Sequence, residues 1–293
     1  MTEIEPLTTY LELRESAEDG SEGAGLSHSA EGLVLLHVLE IAAHGEPRAT
    51  VTVVHGAGDH GGRYTDLASA LAGQNFAVAL PDLRGHGRSE GQRGHSWGWR
   101  EIVRDLQSVQ DHLAYRLPQA PKFVVGQGLG AIHALTYAVE KPRNLAGLVL
   151  VAPVWEPKFE LPARPSGLSK LFKKVGPTSV GRLATAPSAM FTDAAQVDAW
   201  QKDEHTHDEV TLRAGEEATH AATTYAGRIA EAGCPVLILH GSGDQVTDAS
   251  RSSALASDGI DVRILEGCGH DVFHDPTADE ARTLLTEWLA ARL

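Results

Sequence analysis

The sequence predicts an α/β fold with a mainly parallel, doubly wound central sheet. Seven short apolar runs alternate along the chain with helical patterns. The runs are LVLLHVL (33–39), ATVTVVHG (49–56), FAVALPD (76–82), KFVVG (122–126), LAGLVLVAP (145–153), CPVLILHG (234–241) and VRILEG (262–267). Strands that are apolar on both faces and separated by helices are typical of a parallel sheet covered on both sides.

Two helices are predicted from residue spacing alone. One apolar stripe recurs at intervals of three and four residues, as expected for one face of a helix. It consists of Trp99, Ile102, Leu106, Val109 and Leu113. The last helix is predicted to begin with Asp275 as its cap and Pro276 in its first turn. Its buried residues would be Ala281, Leu285, Trp288 and Leu289.

The chain divides into four predicted regions. Residues 1–31 form an extension with eight acidic residues and one basic residue, which we expect to be partly disordered or bound at a sheet edge. Residues 32–153 and 229–293 form two parts of one core. Between them, residues 154–228 interrupt the alternation of strands and helices. An insertion at this point is typical of a helical lid over the carboxyl edge of the sheet.

Composition argues against several classes of partner and cofactor. With 25 Lys and Arg against 39 Asp and Glu, the net charge is −14, which repels nucleic acid. The amino terminus lacks a signal-peptide pattern, and the most apolar stretch, 145–154, is too short to span a bilayer, so we expect a soluble cytoplasmic protein without stable membrane insertion. The two cysteines, Cys234 and Cys268, provide neither a disulfide framework nor a metal-ligand set, so we predict no cofactor and no metal.

Polar residues follow four of the predicted strands. In a doubly wound sheet the reactive groups lie at the carboxyl ends of the strands, where these residues would come together. The four segments are HGAGDHGGRY (55–64), GQGLG (126–130), GSGD (241–244) and GCGHD (267–271).

Together with DLRGHGRSEG (82–91), these segments resemble the α/β-hydrolase fold family. The similarity is to its monoacylglycerol lipase and lysophospholipase branch, related to serine aminopeptidases, and extends over about residues 32–293. Position 128, Asp244 and His270 follow the family's order of nucleophile, acid and base. The resemblance implies a small acylated or amphiphilic ligand, with its acyl chain or the rest of the molecule held by the lid.

The resemblance also implies a role for each site residue. Asp244 would hold the imidazole of His270 in one tautomer, and His270 would act as general base. The backbone N–H groups of Ala57 and Leu129 would form an oxyanion hole. The pocket would be shaped by His55, Gly56 and Gln127.

The sequence departs from the family pattern at position 128. The family motif is G-x-S-x-G, whereas this chain has Gly126-Gln127-Gly128-Leu129-Gly130. Gly128 has no hydroxyl for His270 to deprotonate, so an acyl-enzyme cannot form at this residue. Glycine adopts the backbone angles of such a turn freely, whereas other residues are strained by about 1–3 kcal/mol. We therefore expect the turn to form.

Three interpretations of the site remain open. The protein could be an enzyme of hydrolase descent that uses His270 and Asp244 without a covalent intermediate. It could be a pseudoenzyme that binds a small molecule. It could also be a carboxylic ester hydrolase with a natural serine at position 128, inactivated by engineering. His270 and Asp244 could alternatively form a structural salt bridge without chemistry.

Other polar residues are predicted to have supporting roles. Cys268 and Ser242 precede His270 and Asp244 by two residues, from where attack over the oxyanion hole is geometrically awkward. The segment 203–209 (DEHTHDE) has metal-binding residue types but is predicted to be a solvated face of the lid. The basic SKLFKK segment (169–174) is predicted to be a surface helix, or a lid element that meets an amphiphilic substrate.

Overall fold

The computed structural model describes residues 6–14, 33–141, 145–164, 166 and 174–293. An eight-stranded sheet lies at the centre, with helices on both faces. Its strands are β1 (Leu7–Arg14), β2 (Leu33–Ile41), β3 (Ala49–Val54), β4 (Phe76–Pro81), β5 (Lys122–Gln127), β6 (Gly147–Val151), β10 (Val236–Gly241) and β11 (Ile260–Leu265). The helices are α1 (Thr65–Gly73), α2 (Trp99–Arg116), α3 (Leu129–Glu140), α4 (Pro187–Met190), α5 (Ala194–Lys202), α6 (Leu212–Tyr225), α7 (Ala249–Ser253) and α8 (Ala278–Ala290), with 3-10 turns at Gly61–Tyr64 and Ala226–Ala232.

The order of the strands creates a crevice at the middle of the sheet. The order is β1-β2-β4-β3-β5-β6-β10-β11, and the strands from β4 to β11 in this order are parallel. The chain passes from β3 to β4 on one side and then returns to β5 on the other side of β3. A reversal of this kind is the position at which α/β sheets bind ligands, outside the carboxyl ends of the strands.

The sheet is buried on both faces, as the apolar runs predict. Every residue of β3, β6 and β10 is buried. One apolar core packs α1 and α8 against the sheet, and a second core on the opposite face includes α2, α3 and α6. The predicted α/β-hydrolase fold class is confirmed, and each of the seven apolar runs overlaps a strand of the sheet.

Part of the amino-terminal extension belongs to the sheet. Leu7–Arg14 forms β1, which pairs antiparallel with β2 at the edge. Tyr10 is 53% exposed, so the strand has an open outer face. The rest of the predicted extension, residues 1–5 and 15–31, lies outside the described residues.

The segment between β6 and β10 contains strands as well as the predicted helices. The short strands β7 (Phe159–Glu160), β8 (Val180–Leu183) and β9 (Glu209–Thr211) form an antiparallel sheet of their own. The helices α4, α5 and α6 complete this segment. Of the basic SKLFKK stretch only Lys174 lies within the described residues. No helix in the described part of the chain is long and apolar enough to cross a membrane.

The start of the last helix differs from the prediction. The helix α8 begins at Ala278, and the Asp275 side chain does not cap it. Instead, the Asp275 carboxylate accepts hydrogen bonds from the backbone N–H of Gly269 and from Thr192, whose N and Oγ lie 2.9 and 2.6 Å away. Asp275 therefore ties the loop after β11 to the inserted segment. The predicted buried face of α8 is confirmed.

Candidate functional site

The turn from β5 to α3 uses its three glycines for two different reasons. Gly128 has φ 59° and ψ −118°, which a residue with a side chain rarely adopts. A Cβ on Gly126 would lie 2.3 Å from the Gly130 carbonyl oxygen, and one on Gly130 would lie 2.2 Å from the His55 carbonyl oxygen. The outer glycines therefore permit close backbone packing, whereas the middle one relieves strain.

His270 and Asp244 come together from two neighbouring strands. Asp244 follows β10 and His270 follows β11, and the His270 Nδ1 lies 2.8 Å from the Asp244 Oδ2. The other carboxylate oxygen of Asp244 accepts hydrogen bonds from the N–H groups of Val246 and Thr247, at 2.7 and 3.0 Å. The pair is thus held in the orientation that base catalysis by His270 requires.

The environment of Asp244 keeps its carboxylate ionised. Burial of the side chain opposes the charge, but hydrogen bonds from His240 and His270 hold the pKa of Asp244 well below its usual range. The bond from His240 was not predicted from the sequence. Its Nε2 lies 3.1 Å from the Asp244 Oδ2. The sequence did contain one indication of this contact: His240 stands four residues before Asp244, near the end of β10, the strand that Asp244 follows.

The imidazole of His270 lies directly over Gly128. A Cβ built on Gly128 would be 3.1 Å from the His270 Nε2 and 3.9 Å from the Gly56 Cα. Within the described residues, Nε2 has no hydrogen-bond partner, and the side chain is only 8% exposed. The nitrogen that would act on a substrate therefore faces the space above residue 128.

The loop after β3 is fixed by His55. The buried imidazole donates from Nδ1 to the Gly56 carbonyl at 2.8 Å and accepts at Nε2 from the Leu83 N–H at 2.9 Å. Burial lowers the pKa of His55, in agreement with a ring that must stay neutral to accept this bond. No backbone acceptor among the described residues takes the N–H of Ala57 or of Leu129. Both groups thus remain available as donors.

Gln127 connects the turn to the histidine loop. Its side chain is buried, and its Nε2 donates to the His270 carbonyl oxygen at 2.8 Å. Because Gln127 directly precedes Gly128, this bond fixes the distance between the turn and His270.

Two adjoining cavities open beside these residues. The first is a partly open cleft beside Gly128 and His270. Its apolar wall consists of Leu129, Val154, Pro157, Phe159, Leu183, Met190 and Val246. The second lies beside the loop after β3 and is also lined by Trp99 and His133. Both are lined by Gly56, Ala57, Leu129, Phe159 and Leu183.

The segment 203–209, predicted to be a solvated face, is only partly solvated: Glu204 is exposed, and the other residues are half-buried. Asp203 accepts from the His60 ring, with Nε2 and Oδ2 2.8 Å apart, and the His207 N–H donates to the Gly58 carbonyl at 2.9 Å. His207 also packs on His86, with ring centres 4.7 Å apart. The segment is drawn inward because the loop after β3 offers it these partners. No cluster of His, Cys, Asp or Glu among the described residues is arranged to hold a metal ion.

The other candidate nucleophiles are unsuited to the role. Cys268 is fully buried, and burial raises the pKa of its thiol to about 12, so it remains protonated. Burial also raises the pKa of Cys234 to about 11. The Ser242 Oγ accepts a hydrogen bond from the Gly267 N–H at 2.8 Å and stabilises the loop.

This fold and this site define an α/β protein with a histidine–aspartate pair at the switch point of its sheet. A family model described as Hydrolase_4, serine aminopeptidase, S33, matches residues 45–277. The chain therefore belongs to this family, and the resemblance noted in the sequence is confirmed.

Individual relatives support the monoacylglycerol lipase branch. The monoglyceride lipase of Rattus norvegicus is 29% identical over 85% of this chain and 84% of its own length. The crystal structure of Paleococcus ferrophilus monoacylglycerol lipase is 26% identical, with a TM-score of 0.75 over 88% of this chain and 99% of that chain. An uncharacterized abhydrolase domain-containing protein of Dictyostelium discoideum is 26% identical over 85% of this chain, which spans 27% of that longer protein.

Proposed function

We propose that this protein binds small acylated, amphiphilic molecules of the monoacylglycerol type and hydrolyses their ester bond with a water molecule activated by His270. No covalent acyl-enzyme forms in this reaction. The observation that carries the proposal is the His270 Nε2, which has no partner among the described residues and lies 3.1 Å from the position of a Cβ on Gly128.

The geometry supports direct attack by water. In a serine hydrolase the hydroxyl at this position gives its proton to the histidine. Here the same space can hold a water molecule, which His270 would deprotonate while Asp244 stabilises the imidazolium that forms. The N–H groups of Ala57 and Leu129 would bind the oxyanion of the tetrahedral intermediate.

The substrate class is supported by the cavity and by the relatives. The wall beside Gly128 is mainly apolar, which suits an acyl chain. The similar proteins of known structure or name include monoglyceride and monoacylglycerol lipases. An ester of glycerol with one acyl chain is therefore the substrate to test first.

The expected rate is modest. Enzymes that lack one member of a catalytic triad retain about 10³- to 10⁴-fold acceleration over water through the oxyanion hole and binding. The test compares the unmodified protein with His270→Ala on a short aryl ester and on a monoacylglycerol. Turnover should fall in the variant, leaving only the part that the oxyanion hole and binding supply. Unchanged turnover would refute the role of His270.

The same assay examines the remaining interpretations. If neither protein exceeds the background rate but both bind the monoacylglycerol, the site serves in binding alone, as in a pseudoenzyme. Gly128→Ser tests whether the machinery is aligned for a serine nucleophile, because its Cβ would need a shift of only a few tenths of an ångström in His270. Strong esterase activity in this variant would favour a serine at this position in the enzyme from which the chain derives.

A further inference from the structure

The loop that carries His270 is joined to the inserted segment on one side of the histidine by a backbone bond. The Asp271 N–H donates to the Met190 carbonyl oxygen, with N and O 2.9 Å apart. The next residue of the inserted segment, Phe191, is buried and packs on Arg63, whose guanidinium carbon is 5.4 Å from the ring centre. Arg63 in turn faces Asp271, at 3.6 Å. Two consecutive residues of the inserted segment thus support the position that follows His270.

A carboxylate makes the connection on the other side of His270. The Gly269 N–H donates to the Asp275 Oδ2, and the Asp275 Oδ1 accepts from the N–H and the hydroxyl of Thr192, at 2.9 and 2.6 Å. Asp275 is only 4% exposed, so these donors replace water around its charge. A Cβ on Gly269 would lie 2.8 Å from the Asp275 Oδ2 and 3.2 Å from the Met190 carbonyl oxygen. Glycine therefore permits the inserted segment to lie against the backbone that precedes His270.

We propose that Thr192 is a positioning residue for His270 and acts through Asp275. The N–H and hydroxyl of Thr192 orient the carboxylate that holds Gly269, and this fixes the backbone from which the imidazole reaches the space above Gly128. Thr192 is not among the residues that line the cleft beside Gly128. The inference rests on the proposed function, because it gives the inserted segment a part in aligning the general base of that reaction.

The hydroxyl of Thr192 is the part of this connection that a substitution can remove alone. The residue is exposed, so Thr192→Val leaves the apolar core untouched and keeps nearly the same side-chain shape. The variant also keeps the backbone N–H, but the Asp275 Oδ1 loses one donor. Hydrogen bonds to an ionised acceptor are stronger than those between neutral groups, so this loss should loosen the loop around His270. Thr192→Ser retains the hydroxyl and should restore the connection.

Hydrogen exchange of backbone amides, followed by NMR on the full chain, tests the connection without any need for turnover. The Gly269 amide should exchange at least about fivefold faster in Thr192→Val than in the unmodified protein, and within about twofold of the unmodified rate in Thr192→Ser. The amides of β3 and β10 should keep their rates. Acceleration of Gly269 by less than about twofold, or the same acceleration in the serine variant, would overturn the proposal.

Thr206 offers a matched control within the inserted segment. Its hydroxyl donates to the Trp200 carbonyl oxygen at 2.7 Å, so both partners of this bond belong to the inserted segment. Thr206→Val removes a buried bond of similar length without altering the contact to the histidine loop. The Gly269 amide should keep its exchange rate in this variant. Acceleration equal to that of Thr192→Val would assign the effect to general loosening of the inserted segment and refute the specific role of Thr192.

Hydrolysis of a short aryl ester tests what the connection does for the reaction. Thr192→Val should lower kcat at least about threefold and leave KM within about twofold, because the loss misaligns His270 without changing the wall of the cleft. Thr192→Ser should restore kcat. An unchanged kcat, or a raised KM alone, would overturn the positioning role. If the unmodified protein shows no turnover above background, the proposed function fails, whereas the exchange rates still decide whether Thr192 holds the His270 loop.

Discussion

His240 and His270 donate to the same oxygen of Asp244. The distances from Oδ2 are 3.1 Å to the His240 Nε2 and 2.8 Å to the His270 Nδ1. The Nδ1 of His240 lies 2.7 Å from the Ser252 Oγ. An ionised carboxylate can only accept, so His240 carries its proton on Nε2 and accepts the Ser252 hydroxyl proton on Nδ1. Ser252 thus donates to His240, and His240 in turn donates to Asp244.

The first prediction concerns His240. In His240→Phe the fully buried Asp244 loses one of its donors, which should lower the free energy of unfolding by about 1–3 kcal/mol. The measurement is urea denaturation at neutral pH. Ser252→Ala is the matched control, because it leaves the His240–Asp244 bond in place and should cost less. An equal loss in the two variants would contradict the larger contribution assigned to the His240–Asp244 bond.

The second prediction contrasts two glycines of the same turn. A Cβ at position 130 would lie 2.2 Å from the His55 oxygen and 2.4 Å from the Val54 oxygen, both on the backbone. Gly130→Ala should therefore destabilise the protein by about 3 kcal/mol, the upper part of the range for overpacking. Gly128→Ala meets only the His270 side chain and should cost about 1–2 kcal/mol of backbone strain.

Thermal or urea unfolding of the two alanine variants provides the measurement. Gly259→Ala, with a positive φ and open surroundings, reports the cost of strain alone. The Gly128 variant should resemble this control more closely than it resembles Gly130→Ala. A Gly130 variant as stable as the Gly128 variant would show that the turn can move away from the β3 strand.

The central sheet could be predicted from the sequence because its strands carry a local signal. Each strand from β3 onwards in the parallel part is a short apolar run bounded by turn residues. The positions of Asp244 and His270 were predictable for a related reason. Each follows such a strand, and parallel strands bring their carboxyl ends to one edge.

Other parts of the structure depend on contacts that the local sequence does not reveal. The strand β7 has two residues and β9 has three, too few to show a period of two. The bond from His60 to Asp203 joins residues 143 positions apart. Polar composition therefore favoured a solvated surface for segment 203–209, whereas its partners on the loop after β3 draw it inward.

The third prediction concerns acid stability through Asp82. This buried carboxylate accepts from the N–H groups of Gly61 and Arg88 and from the His37 ring, at 2.7, 2.8 and 2.9 Å. Burial opposes its charge, but the bonds from His37 and Arg88 lower the pKa of Asp82 to about 2. A lowered pKa contributes stability above the unfolded value of about 3.9, which is lost as the pH falls towards 2.

Comparison with Asp82→Asn isolates this contribution. The amide is isosteric but has no charge and one acceptor, so the variant should be less stable at neutral pH. The difference in unfolding free energy should shrink by about 2 kcal/mol between pH 5 and pH 2. A difference that is constant over this range would show that Asp82 contributes no titrating stability.

The last prediction concerns His274, which stabilises the loop that carries His270. Its Nδ1 lies 2.8 Å from the Asp271 Oδ1, and its Nε2 lies 2.8 Å from the Arg63 carbonyl oxygen. Both partners only accept, so both ring nitrogens must carry protons and the ring is an imidazolium. Burial disfavours this charge, but Asp271 raises the pKa of His274 above its ordinary value.

A raised pKa gives stability that is complete below the unfolded value of about 6.5 and is lost as the pH rises through the folded value. The free energy of unfolding of the unmodified protein should therefore fall above about pH 6.5 relative to His274→Gln, whose side chain does not titrate. Urea titrations between about pH 6 and pH 9 provide the measurement. His220→Gln, at an exposed position on α6, is the matched control and should keep the pH dependence of the unmodified protein. If His274→Gln kept the same pH dependence, His274 would be neutral in the folded state, and one of its two bonds could not form as assigned.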